Sequence, residues 1–131
     1  MPSVRVERTE TGFTATNDRG GRIEIGSTRD EGVFSPVELL LAALGGCEMA
    51  TVEPLTAKRG HRLAKLATVV EAEKVSDTEL RSFTVTYEIE LPPEDEKALE
   101  VFRSVAGRVH ERYCPVGKAL KNPMPVEQRL P

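Results

Sequence analysis

The stretch from Ser35 to Arg59, SPVELLLAALGGCEMATVEPLTAKR, limits what this chain can fold into more than any other. Ser35 suits a helix N-cap, and Pro36 suits the first helical position, where its missing N–H costs nothing. Glu38 stands three residues after the serine, as in a capping box. Leu, Ala and Met, all strong helix formers, dominate the next turns. Between Val37 and Cys47 the only charge is Glu38. Leu39, Leu40, Leu41 and Leu44 cover most of the circumference, so the helix is expected to be buried on nearly all sides. The uncharged run is too short to cross a bilayer, which points to burial in protein. A domain of 131 residues is small for surrounding such a helix completely, so a second copy of the chain is expected to cover part of it. Ala42, Ala43, Gly45 and Gly46 would let another backbone come close. Two helical glycines each cost about 1 kcal/mol relative to alanine, so space or close approach is implied beside Cys47. A bend or restart is expected at Pro54, and an end before Gly60.

The remaining elements are read from periodicity. Val4–Arg8, Phe13–Thr16 and Arg22–Ile25 alternate polar and apolar residues between turn-rich separators and read as a small antiparallel meander. Gly26–Phe34 is a polar loop into the central helix. Phe83, Val85, Tyr87, Ile89 and Leu91 keep strict period two. With Leu63–Val75 across a turn at Ser76–Glu79 they make a long hairpin, although Leu63–Ala72 also fits a helix. The segment from Pro93 to Tyr113 places Leu99, Phe102, Ala106 and Val109 at helical spacing. Cys114-Pro115 opens a short helix, Asn122-Pro123 ends it, and Met124–Leu130 reads as a weak strand. The order β-β-β-α-β-β-α-α-β defines an α+β fold in one domain, residues 1–131, with helices against antiparallel sheet.

Charge excludes some functions. The formal net charge is −3, and no basic block is interleaved with aromatics, which argues against nucleic acid. The opening MPSVRVERTE has no apolar export segment, so the cytoplasm is expected. There a thiol pair is catalytic or redox-sensing more often than structural.

The chemistry lies with Cys47 and Cys114. Cys47 sits beside the glycines of the central helix. Cys114 directly precedes a proline at a helix start, which makes it the N-cap, where free N–H groups and the helix dipole favour a thiolate. Cys47, in mid-helix, needs a cation from elsewhere. Taken alone, the two could also be independent buried cysteines behaving as small hydrophobes. Zinc on Cys47, Cys114, His61 and His110 matches no zinc module by spacing, and no hydrolase nucleophile signature is present.

SPVELLLAALGGC followed by CPVGKAL, with the cysteines 67 positions apart, resembles the OsmC/Ohr family of osmotically inducible and organic-hydroperoxide-resistance proteins. The resemblance covers nearly the whole chain. It implies an intertwined homodimer built on two central helices, with active sites at the interface. It also implies thiol-dependent peroxidase activity on small apolar organic hydroperoxides, needing no cofactor beyond an external dithiol reductant. By match, Cys47 takes the peroxidatic place and Cys114 the resolving one. Arg29 matches the supporting arginine. The family's supporting glutamate directly follows the helix-opening proline, where this chain has Val37, with Glu38 one step on. Glu38 and Cys47, nine residues apart, fall on opposite helix faces about 13 Å apart along the axis, so Glu38 is expected to serve the cap. The competing expectations are a non-enzymatic OsmC-like module binding a small ligand or partner, and a redox sensor using the same cysteines.

Overall fold

A computed structural model describes residues 1–131, which form two compact units, residues 1–40 and residues 41–131. The first holds a three-stranded antiparallel meander: β1 (Arg5–Arg8), β2 (Phe13–Thr16) and β3 (Arg22–Ile25), in the order β1-β2-β3. Its registers pair Val6 with Ala15 and Ala15 with Ile23. Asn17 sets the second turn, its Oδ1 accepting from the backbone N–H groups of Arg19 and Gly21. Gly20 there has φ 86°, a conformation that side chains disfavour. Thr14, buried, donates its hydroxyl to Glu24 across the β2–β3 pair.

The long helix α1 (Pro36–Lys58) begins in the first unit and continues into the second. Its capping box is closed as the sequence expects. Glu38 N–H donates to Ser35 Oγ at 3.2 Å, and Ser35 N–H donates to Glu38 Oε1 at 2.9 Å. No break occurs at Pro54. The ring lies on the exposed side and the helix runs on to Lys58, beyond which Gly60 turns the chain at φ 85°.

Burial of α1 departs from the expected all-round pattern. Within the chain one face is buried, carrying Leu44, Gly45, Glu48, Val52 and Thr56, while Ala42, Ala43, Gly46, Ala50 and Pro54 are exposed. The 23-residue helix, with a mean hydropathy of 1.2 over its most apolar window, has the length and composition of a membrane-crossing helix. Only 28% of that window is buried within the chain.

The second unit packs the buried face of α1 on a hairpin of β4 (Lys65–Ser76) and β5 (Glu79–Glu90), closed by a two-residue turn. The hairpin settles the ambiguity of residues 63–72 in favour of strand. Phe83, Val85, Tyr87 and Ile89 alternate inward with Leu66 and Val70 of β4, and all six pack against the core. At Gly45 helix and sheet come close together. A Cβ there would fall 2.8 Å from Thr68 Oγ1 and 2.9 Å from Val70 Cγ2. Gly46 faces open space, so only the first glycine is required by packing inside the chain.

Helix α2 (Ala98–Arg108) starts later than Pro93, because residues 92–97 form turns first. It buries Ala98, Phe102 and Val105, with Phe102 edge-on to Tyr87 at a ring separation of 5.3 Å. Beyond Arg108 the helix widens into a π turn, Val109–Tyr113, and then α3 (Pro115–Lys121) begins. The expected terminal strand over Met124–Leu130 does not form. Those residues pair with no other strand and are exposed, which removes the ninth element from the expected order.

Candidate active site

The two cysteines are free thiols brought together in the second unit. Cys47 arrives from the middle of α1 and is half-buried; Cys114 arrives at the α3 N-cap and is 1% exposed. The capping role expected of Cys114 is met by its sulfur, which accepts from the Gly117 N–H at 3.3 Å. Gly117 leaves little space to spare, since a Cβ there would sit 3.4 Å from the sulfur. Cys47 lies close enough for its side chain to favour the protonated Cys114 thiol. Burial pushes the Cys114 thiol up to about 11, helped by the Cys47 contact and the negative charge of Glu48 and opposed by the Gly117 N–H. The N-cap donor is therefore outweighed by desolvation, and Cys114 keeps its proton.

The remaining predicted site residues lie in the first unit. Arg29 is exposed in the loop before α1, its backbone N–H donating to Ser27 Oγ, and its guanidinium makes no hydrogen bond or salt bridge. Glu38 is held by Ser35, and those hydrogen bonds, backbone first, keep its carboxyl below the usual range.

A group that sequence reasoning missed adjoins the thiols. Glu48, 1% exposed, accepts from the Tyr87 hydroxyl at 2.9 Å through Oε1, and its Oε2 lies 3.0 Å from His110 Nδ1. Tyr87 reaches it from β5 and His110 from the π turn. Burial, and then the Glu48 carboxylate, hold the Tyr87 phenol far above its ordinary value. One signal could have found this group: Glu48 is the only charge between Leu39 and Val52 in an otherwise apolar helix. His61, the other histidine, pairs with Asp95 at 2.5 Å, away from the thiols in sequence and partners.

About one turn of α1 beyond Cys47, α1 and α2 leave an apolar cavity of about 630 Å³ that neither cysteine lines. Ala50, Thr51 and Leu55 wall it from α1, Val105 from α2, and Tyr113 next to Cys114. Lys58 and Arg108 also line it, neither in a salt bridge.

Fold and site together define an α+β protein with a thiol pair spanning its longest helix and a short helix N-terminus. The chain belongs to the OsmC-like protein family, whose model matches residues 29–129. An uncharacterized protein of Mycobacterium tuberculosis is 32% identical over 124 residues, covering 93% of this chain and 90% of that protein. The fold is similar to that of an OsmC-like protein from Mycoplasma pneumoniae, at a TM-score of 0.72 and 22% identity over 92% of this chain and 87% of that one. It is also similar to the organic hydroperoxide resistance protein OhrB of Bacillus subtilis, at a TM-score of 0.59 and 22% identity over 92% of both chains.

Proposed function

We propose that this protein defends against oxidative stress as a thiol peroxidase, reducing organic hydroperoxides with Cys47 as the attacking thiol and Cys114 as the resolving one. The observation that carries the reading is the convergence of two free cysteines, Cys47 from mid-helix and Cys114 from a helix N-cap, close enough for Cys47 to favour the protonated Cys114 thiol. The name of the similar OhrB protein agrees with it. Cys47 as thiolate attacks the terminal oxygen of ROOH. The O–O bond breaks, the alkoxide leaves and takes a proton as ROH, and Cys47 becomes a sulfenic acid. The Cys114 sulfur then attacks the Cys47 sulfur. The S–S bond forms as the S–O bond breaks, and water departs with the thiol proton. A dithiol supplied by the reducing cytoplasm restores both thiols. The apolar cavity beside Thr51 and Leu55 suits an organic R group.

This reading takes a homodimer as the working form, with a second copy over the exposed Ala42, Gly46 and Ala50 face of α1. It also takes Arg29, whose guanidinium is unengaged, as the cation at Cys47. The test is consumption of cumene hydroperoxide with dithiothreitol as reductant. Wild type turns over; Cys47→Ser does not, and Cys114→Ser stops at the sulfenic acid and over-oxidises on repeated dosing. A Cys47→Ser protein as active as wild type would end the reading.

A further inference from the structure

Glu48 is the only charged side chain fully buried in the protein, and the peroxidase cycle leaves it without a task. A buried carboxylate is costly unless paired, and an apolar residue of similar size commonly serves stability as well or better. Its two oxygens are spent on two different elements. Oε1 accepts from the Tyr87 hydroxyl of β5 at 2.9 Å, and the Tyr87 ring stands edge-on to Phe102 of α2, so the carboxylate is fixed against sheet and helix. Oε2 lies 3.0 Å from His110 Nδ1. A carboxylate only accepts, so Nδ1 carries the proton and donates it.

His110 belongs to the π turn that delivers Cys114 to α1. Within that turn Val109 is buried and residues 110–113 are exposed; of these four, only His110 has a side chain in a hydrogen bond. Its carbonyl also accepts from Lys121 Nζ of α3, so His110 is held to α1 by its ring and to α3 by its backbone. The turn then closes on Cys114, whose N–H donates to the Val109 carbonyl at 3.1 Å. Helix α3 has little packing of its own, since Gly117 is its one buried residue. Its head meets α1 at Leu44, where a Cβ on Gly117 would lie 3.6 Å from Leu44 Cδ1 and 3.4 Å from the Cys114 sulfur. Leu44 and Glu48 stand one turn apart on the buried face of α1, and Cys47 is next to Glu48 in the chain.

We propose that Glu48 and His110 are positioning residues for the thiol pair: their hydrogen bond pins the π turn to α1 and keeps Cys114 where its sulfur can bridge to Cys47. The inference rests on Cys114 being the resolving thiol. A disulfide tolerates little error in the placement of its two backbones, and a misplacement of about 1 Å can slow a reaction about a hundredfold.

Ellman's reagent tests this without hydroperoxide. Cys47 attacks the reagent, forms a mixed disulfide and releases the first nitrothiobenzoate. Cys114 then attacks the Cys47 sulfur and releases the second. Cys114→Ser identifies the phases by showing only the first. His110→Leu removes the hydrogen bond at a position where the ring is 53% exposed, so the fold does not depend on it. It is expected to slow the second phase at least tenfold and to leave the first within about threefold. Equilibrated with oxidised dithiothreitol, it should close the disulfide with an equilibrium constant about tenfold lower, a potential raised by about 30 mV. His110→Asn sets an amide N–H near the place of Nδ1 and is expected to restore most of the second phase. A bond that served stability alone would lower Tm in His110→Leu and leave the second phase and the equilibrium constant of the folded protein at their wild-type values. That result overturns the proposal, as does an asparagine variant as slow as the leucine one, or a wild type with no second phase. If wild type consumes cumene hydroperoxide while His110→Leu keeps the wild-type second phase, the positioning role falls and the peroxidase reading stands. If wild type ignores the hydroperoxide but its second phase depends on His110, the peroxidase reading falls and the positioning role stands.

Discussion

The two faces of α1 are made from the same turns of helix and behave differently. The buried face presents Leu44, Val52 and Thr56 to the hairpin and α2, with one carboxylate, Glu48, satisfied by Tyr87 and His110. The exposed face carries almost nothing beyond a methyl group at Ala42, Ala43, Gly46 and Ala50. From Ala42 to Ala50, bulk and charge lie on one side and are missing from the other; Glu53 is the next exposed charge along the helix. A face meant only for water would carry charged residues. The contrast teaches that apolar content along a helix does not reveal where its contacts are; side-chain size does.

The largest effect should come from breaking the buried face. Glu48→Ala leaves the half-buried Tyr87 hydroxyl and His110 without their acceptor and opens a void. It is expected to cost about 3 kcal/mol in urea unfolding. Loss of less than about 1 kcal/mol would mean that the carboxylate is dispensable to packing.

The two adjacent glycines sharpen the comparison further. Gly45→Ala drives a Cβ into Thr68 and Val70 and is expected to destabilise the chain by about 1–3 kcal/mol without changing its association. Gly46→Leu meets no atom of its own chain. Under the proposed homodimer, its expected effect appears in sedimentation, as dissociation at lower dilution than wild type. An unaltered dimer would place the partner elsewhere.

A third outcome concerns the thiols. Since burial pushes Cys114 up to about 11, native protein at pH 8 is expected to lose only Cys47 to iodoacetamide, and both thiols after denaturation. Peptide mass spectrometry after timed quenching separates the two sites.

The smallest effect belongs to His61 and Asp95. The histidine, first by its hydrogen bond, holds the Asp95 carboxyl below its usual range. A depressed carboxylate contributes stability above its unfolded pKa, and that contribution is lost as pH falls through its folded value. His61→Ala should therefore lower Tm slightly at pH 7, and the gap from wild type should close in acid.

Much of this was legible in the residues. Ser35, Pro36 and Glu38 announced the start of α1 through chemistry confined to four positions, and Cys114-Pro115 announced α3 in the same way. The alternation of Phe83 to Ile89 told strand from helix because a two-residue period has no helical counterpart. Local signals failed where the answer depended on distant partners. Nothing near Glu48 in the sequence reveals Tyr87 or His110, 39 and 62 positions away, and a surface histidine beside Glu111 looks ordinary. Met124–Leu130 has strand-like residues but no neighbour to pair with, so its propensity has no effect. The late start of α2 reflects Pro92 and Pro93, which suit turns as well as a first helical turn.

The π turn at Val109–Tyr113 makes the thiol site sensitive to counting. Such a turn holds one residue more than an α-helical turn would, and Cys114 N–H reaches back to the Val109 carbonyl across it. Deleting any one of these five residues would let α2 continue in regular phase, a local gain in backbone geometry. Everything downstream would then rotate by about 100° and move about 1.5 Å. Cys114 would leave the side of the helix that faces Cys47, and the histidine would lose its alignment with Glu48. Substitutions in this turn are therefore expected to be better tolerated than changes of length: over its five residues the chain must keep its number more strictly than its letters.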